Sequence, residues 1–182
     1  AVRRSASPRT RPCRPAGRAD SGGDEVRGFG VQGGERRHAL ITGLRAYASV
    51  GKAEQKLTAV ELSETCAAAL EQLQQAVVDS GAAVTCDTLP TVEGDRQLLA
   101  QLFQNLIGNA LKFRSNADLR VHIGAEPFDP SAPHVTINVE DNGLGIAPEH
   151  RERIFGMFQR LHGREEYPGT GIGWTICRKI VE

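Results

Sequence analysis

The chain has 182 residues, with 22 Lys and Arg against 22 Asp and Glu, 40% hydrophobic and 5% aromatic residues. That length predicts one domain plus an appendage, of α/β type with an aliphatic core. The balanced charge gives no global case for nucleic acid, no apolar run reaches the roughly 18 residues of a membrane span, and no signal peptide is visible, so a cytoplasmic protein is expected. The first 34 residues differ from the rest. Between Ala1 and Arg18 stand six arginines and three prolines with no acidic residue, and Gly22-Gly23 and Gly33-Gly34 follow. Such a stretch builds no core. It reads as a disordered or aberrant extension rather than a basic arm, because its arginines alternate with Pro and Ser and share no helical face.

Over 35–56, Leu40, Leu44 and Tyr47, with Ile41 and Ala48 beside them, predict a helix weakened by Gly43, then a polar linker with Lys52, Glu54 and Lys56. From 57 onward the pattern is denser. Thr58 and Glu61 form a capping-box pattern ahead of a helix carrying Leu62, Cys66, Leu70, Leu73 and Val77 on one face, which Gly81 stops at C′. A strand over Ala82 to Asp87 ends near Pro90. Asp95 is placed to cap a helix from Arg96 to Phe113. Two alternating strands follow, with Val121, Ile123 and Ala125 in one and Val135, Ile137 and Val139 in the other, joined by a hairpin loop with Pro127, Pro130 and Pro133. Pro148 opens a short helix through Ile154, residues 159–168 read as a loop, and a last helix covers Ile172 to Val181. This order predicts a two-layer fold, a mixed sheet with helices on one face.

Three segments carry candidate chemistry. On helix 96–113, Leu98, Leu99, Leu102, Phe103, Leu106 and Ile107 form a core stripe, and Gln101, Asn105, Asn109 and Lys112 share a neighbouring face. An amide oxygen there is a hard ligand suited to Mg²⁺ together with substrate phosphates, and Lys112 adds a point charge for a phosphate. A plain polar surface would look the same. Asp141 stands just past a strand, where a carboxylate accepts a hydrogen bond from the exocyclic amine of adenine; guanine offers no donor at that position. Gly143 and Gly145 can take positive φ and let a ring approach the backbone, although Asp-Asn-Gly is also an ordinary turn. Gly169-Thr170-Gly171-Ile172-Gly173 opens the last helix, whose N-terminal N–H groups suit an anion, or it is a hinge. It matches neither a dinucleotide-binding turn nor a P-loop. The loop before it can close as a lid, with Phe155 and Phe158 as its core anchors rather than ligand contacts. His38, His122, His134, His150 and His162 show no ligand spacing. Cys13, Cys66, Cys86 and Cys177 form no CxxC pair and read as reduced thiols, not a disulfide frame or zinc site.

In that order, the motifs resemble the ATP-binding catalytic domain of sensor histidine kinases, within the group that also holds gyrase-type ATPases, MutL and the heat-shock chaperone ATPases. The N box is similar to Asn105–Phe113, the G1 box to Asp141–Ile146, the F box to Phe155–Phe158 and the G2 box to Gly169–Gly173. The run from Phe158 to Gly171 looks most like phytochrome-type kinases. The resemblance covers about residues 35–182. It implies the Bergerat ATP-binding fold, with ATP and Mg²⁺ as ligands. Asp141 would bind adenine and Asn109 would hold Mg²⁺. Asn105 and Lys112 would meet phosphates, while Gly143, Gly145 and Ile146 complete the nucleotide turn and Gly169, Thr170, Gly171, Ile172 and Gly173 shape the lid. It also implies a response-regulator receiver domain as partner and a homodimer formed through upstream helices, of which residues 35–56 would be the remnant and 57–182 the ATP-binding domain.

Two departures shape the functional expectation. Hydrolysing members of the group resemble one another in a glutamate four residues before the Mg-binding asparagine; Asn105 stands there, and an amide has no useful basicity. Phosphoryl transfer to a protein nucleophile therefore fits better than hydrolysis. The phosphoacceptor histidine expected upstream is missing, since His38 lacks its motif, and no catalytic residue is assigned. The chain ends at Glu182, inside a helix, where the family pattern continues, so a C-terminally truncated and marginally stable domain is expected. Alternatives are a nucleotide-binding module that transfers nothing and an anti-sigma-type serine kinase.

Overall fold

The computed structural model describes residues 40–50, 57–115, 118–127, 134–161, 163, 167 and 169–182. The chain divides into units 1–35 and 36–182, and every described residue lies in the second. The arginine-rich stretch, Cys13, His38, the linker 51–56, Pro130, Pro133, His162 and Pro168 lie outside the described residues.

Helix α1 covers residues 40–49. Its Gly43 has a packing role: a Cβ there would lie 2.9 Å from Ile172 Cδ1. Strand β1 (Thr58–Glu61) comes next, where the sequence predicts a capping box. It pairs antiparallel with β3 (Thr91–Gly94), Thr58 opposite Gly94 and Val60 opposite Val92. The competing interaction that wins is strand pairing that buries Val60, and the Glu61 carboxylate accepts from the Thr91 hydroxyl across the ribbon. Helix α2 (Leu62–Gln72) starts only after Glu61, whose carbonyl accepts from Thr65 Oγ1 at 2.9 Å. The predicted single helix breaks at Leu73, and α3 (Gln74–Ser80) ends at Gly81 with φ 67°, the left-handed C-terminal stop expected there.

Strand β2 (Ala83–Cys86) leads to β3 and then α4 (Arg96–Lys112). Asp95 caps α4 as expected, its Oδ1 accepting from Gln97 N at 2.8 Å and Leu98 N at 3.2 Å. Strands β4 (Arg120–Ala125) and β5 (Ile137–Asp141) complete a three-stranded sheet in the order β2-β4-β5. β2 and β4 run parallel, β4 and β5 antiparallel with Val121 opposite Asp141, so the sheet is mixed. Val135 falls outside β5. Two short 3₁₀ turns, Pro148–His150 and Arg153–Phe155, replace the predicted helix at 148–154, and α5 (Gly173–Val181) follows.

The core lies between one face of the sheet and the helices. Leu62, Cys66 and Ala69 of α2, Phe103, Ile107, Ala110 and Leu111 of α4, and Val121 and Ile123 of β4 form its buried cluster. Alternation along β4 sends Val121 and Ile123 inward and leaves His122 on the other face, bonded to Thr85 and Asp87. The predicted α4 stripe is shifted: Phe103 and Ile107 are buried, but Leu98, Leu102 and Leu106 are only half-buried. The fold is thus a two-layer α+β arrangement with helices on one face, plus the separate β1–β3 ribbon.

Candidate functional site

A cavity of about 890 Å³ opens between α4, the end of β5, the 3₁₀ turns and the start of α5. Its wall contains Asn105, Asn109 and Lys112 from α4, Asp141, Gly145 and Ile146 from the β5 turn, and Gly169, Thr170, Gly171 and Gly173 from the second glycine cluster. Segments some sixty residues apart in sequence thus meet around one space. Gln101, on the same predicted helix face, is not on the wall; Gln104 is.

The Asp141 turn is pinned from three sides. Asp141 Oδ1 accepts from Gly143 N at 2.8 Å, and no described bond engages its other carboxylate oxygen. Asn142 ties the turn to the start of β4: its Oδ1 accepts from Arg120 N at 2.7 Å and its Nδ2 donates to Asp118 O at 2.8 Å. Leu144 N donates to Phe113 O at 2.9 Å, joining the turn to the end of α4. Gly145 has φ 69°, as expected. Gly143 corrects the expectation: its φ is not positive and it is not on the wall. Glycine is required there because a Cβ would collide with the Phe113 carbonyl and lie 2.8 Å from Asp141 Oδ1.

On α4, the amide nitrogens of Asn105 and Asn109 are buried without a hydrogen-bond partner. Buried donors of this kind are normally satisfied, so the two amides hold unused capacity where α4 meets the cavity. Gly173 makes the room: a Cβ there would lie 3.3 Å from Asn105 Oδ1. Lys112 Nζ sits 4.3 Å above the Phe113 ring. Burial, and then the nearby Arg160 guanidinium, lowers its pKa from the ordinary value. A cation so placed gains from an incoming anion.

Arg160 organises the loop at the cavity's edge, donating from Nη1 to Gly169 O at 3.0 Å and from Nη2 to Gly163 O at 3.1 Å and to Tyr167 O. Gly169 and Gly171 have φ 147° and 73°, and a Cβ on Gly171 would lie 2.7 Å from Gln159 O. Ile172 is 1% exposed, packs toward Gly43 of α1, and is not on the wall. Phe155 is half-buried, edge-on to Trp174 at 5.9 Å. Phe158 is no core anchor. It is 54% exposed at φ 61°, while Ile154 is buried nearby in sequence. Neither phenylalanine is on the wall. Trp174, Tyr167, Arg151 and Arg160 are; Tyr167 and Arg160 lie in the loop read as a lid, and none of the four is singled out as a site residue from the sequence.

The family described as histidine kinase-, DNA gyrase B-, and HSP90-like ATPase matches residues 94–182. Cyanobacterial phytochrome A from Nostoc sp. is 42% identical over 163 residues, 90% of this chain and 21% of the phytochrome, so the chain spans about a fifth of that relative. Among solved structures, full-length ShkA in complex with AMPPNP is 27% identical with a TM-score of 0.66, covering 82% of this chain and 31% of ShkA. The mycobacterial sensor histidine kinase MprB is 28% identical with a TM-score of 0.57, covering 69% of this chain and 78% of that structure. Residues 94–182 therefore belong to the histidine kinase-, DNA gyrase B- and HSP90-like ATPase family, and the chain carries the histidine kinase type of that domain.

Proposed function

We propose that this chain is the ATP-binding catalytic domain of a two-component sensor histidine kinase. In the intact protein, a homodimer through upstream helices, Mg-ATP would phosphorylate a histidine for relay to a response-regulator receiver domain. The observation that carries this reading is the meeting of Asp141, Asn105, Asn109, Lys112 and Gly169–Gly171 around one cavity. The uncommitted Asp141 oxygen would accept from the adenine amine, and Lys112 and the unpartnered amides would take phosphate oxygens. The AMPPNP complex of ShkA supports the nucleotide class.

The residues present also fit magnesium. Asn109 offers a hard amide ligand beside the space Gly173 leaves, and among the described residues no cluster of three His, Cys, Asp or Glu would hold a metal by protein groups alone. Once bound, the ion supplies neutralisation of phosphate charge. Asn105 lacks the basicity to activate water, which supports transfer over hydrolysis. A second reading for the chain by itself is a nucleotide-binding module that transfers no phosphate.

Calorimetric titration with Mg-ADP tests the site. Saturable binding that weakens roughly tenfold or more in Asp141→Asn is expected; absence of binding to the unsubstituted chain overturns the reading. Labelled ATP then separates the alternatives. Label on a histidine of this chain contradicts the missing acceptor, and label on a serine favours an anti-sigma-type kinase.

A further inference from the structure

Twenty residues apart in sequence, Cys66 on α2 and Cys86 at the end of β2 bring their sulfurs to 3.7 Å. Cys66 is fully buried and Cys86 is exposed; both are free thiols. A disulfide has sulfurs about 2.05 Å apart, so less than about 2 Å of approach separates the two states. Cys86 is the last residue of its strand, and a second cavity of about 310 Å³, lined by Ser63, Ala67, Leu70, Cys86, Asp87 and Thr88, gives small molecules access to it. We propose that Cys66 and Cys86 form a peroxide-responsive thiol pair, an oxidation site apart from the nucleotide cavity, in which Cys86 reacts first and Cys66 resolves it into an intramolecular disulfide.

The chemistry balances. The Cys86 sulfur, as thiolate, attacks one oxygen of hydrogen peroxide. The O–O bond breaks, Cys86 becomes a sulfenic acid, and the departing hydroxide leaves as water with the thiol's proton. The Cys66 sulfur then attacks the Cys86 sulfur, the S–O bond breaks, and a second water leaves with the Cys66 proton. Two thiols lose two electrons and two protons, and one peroxide becomes two waters. The roles follow from the surroundings. Burial first, and the neighbouring Cys86 second, push the Cys66 thiol up to about 12, so it is protonated at neutral pH and unsuited to attack peroxide itself.

The test treats the full chain with stoichiometric hydrogen peroxide, alkylates remaining thiols in denaturant and maps the peptides by mass spectrometry. The expected product is a Cys66–Cys86 linked peptide with Cys177 still alkylated, reversed by dithiothreitol. In Cys86→Ser, an exposed substitution, Cys66 should stay fully alkylated. In Cys66→Ala, Cys86 should be trapped by dimedone as the sulfenic acid. Over-oxidation of Cys86 with Cys66 still free, or a disulfide joining Cys86 to Cys13 or to a second chain, overturns the proposal.

Discussion

Gly143→Ala tests whether the Asp141 turn is held in one conformation by its contact with the end of α4. The added Cβ would meet the Phe113 carbonyl well inside the 3.0 Å that real Cβ atoms keep, and Asp141 Oδ1 at 2.8 Å. Phe113 closes α4, and its carbonyl already accepts from Leu144 N, so neither backbone can yield alone. Moving the turn breaks the Leu144–Phe113 and Gly143–Asp141 hydrogen bonds, at about 1 kcal/mol each, and relieving the overlap adds about 1–3 kcal/mol. The local penalty is then about 3–5 kcal/mol, which on nucleotide affinity corresponds to a loss of roughly 100-fold or more in Kd. Gly145→Ala is the internal contrast. Its Cβ would meet no protein atom within 4 Å, so the penalty to folding is that of φ 69°, about 1 kcal/mol. Mg-ADP titration and urea unfolding of both variants should therefore rank Gly143→Ala far below Gly145→Ala. Equal affinity and stability in the two would refute the claim that a carbonyl contact, rather than a positive φ, makes glycine necessary at 143.

Four further outcomes follow from other contacts. Asp95→Ala removes the acceptor of two amides and should lower stability by about 1 kcal/mol in urea unfolding, with little change in the slope. Lys112→Met should raise the melting temperature without nucleotide and lower Mg-ADP affinity. A lysine with a lowered folded pKa is destabilising while charged and is relieved as pH rises toward 10.5, so removing it helps only the empty protein. Cys177 has the opposite sign: burial raises it from 9.0 to about 12, so the stability it contributes is complete below 9.0 and falls as pH climbs from 9.0 to about 12. Unfolding midpoints in denaturant should decline over that window, and less so in Cys177→Ala. The Cys66–Cys86 disulfide closes a loop of 20 residues, and the oxidised chain should gain about 3 kcal/mol over the reduced one in urea unfolding.

Local signals in the sequence were reliable where one residue type has one cheap use. Asp95 caps α4, Gly81 ends α3 in the left-handed region, and Asn105, Asn109, Lys112, Asp141, Gly169, Thr170, Gly171 and Gly173 meet around one cavity. Prediction failed where partners are distant. Thr58 and Glu61 have capping-box spacing, but pairing with Thr91–Gly94 outweighs a cap worth about 1 kcal/mol, and nothing local in a four-residue strand announces its partner. Tyr167 and Arg160 come to the cavity through loop geometry that follows no period, and Trp174 is placed there by the first turn of α5. The closeness of Cys66 and Cys86 is invisible as spacing, because it arises only when α2 packs across the sheet.

What unites the cavity wall is that its polar groups are incompletely satisfied by the protein itself. The Asn105 and Asn109 amides are buried without partners, Lys112 is held below its ordinary pKa by burial and by Arg160, and one Asp141 oxygen has no described bond. The first two conditions oppose folding, since an unpaired buried donor costs about 1–3 kcal/mol and burial disfavours the lysine charge, while exposed Asp141 keeps its free oxygen in water. An arrangement that only stabilised the fold would replace these groups with apolar ones. A ligand carrying a hydrogen-bond donor for a carboxylate and several anionic oxygens for amides and a lysine satisfies all of them together, and does so in the bound state alone. Arg160 links that satisfaction to the loop, because the guanidinium beside Lys112 also holds the carbonyls of Gly163, Tyr167 and Gly169. Anionic charge at Lys112 relieves its repulsion with Arg160, and so favours the same loop arrangement that places Gly169 and Thr170 on the wall.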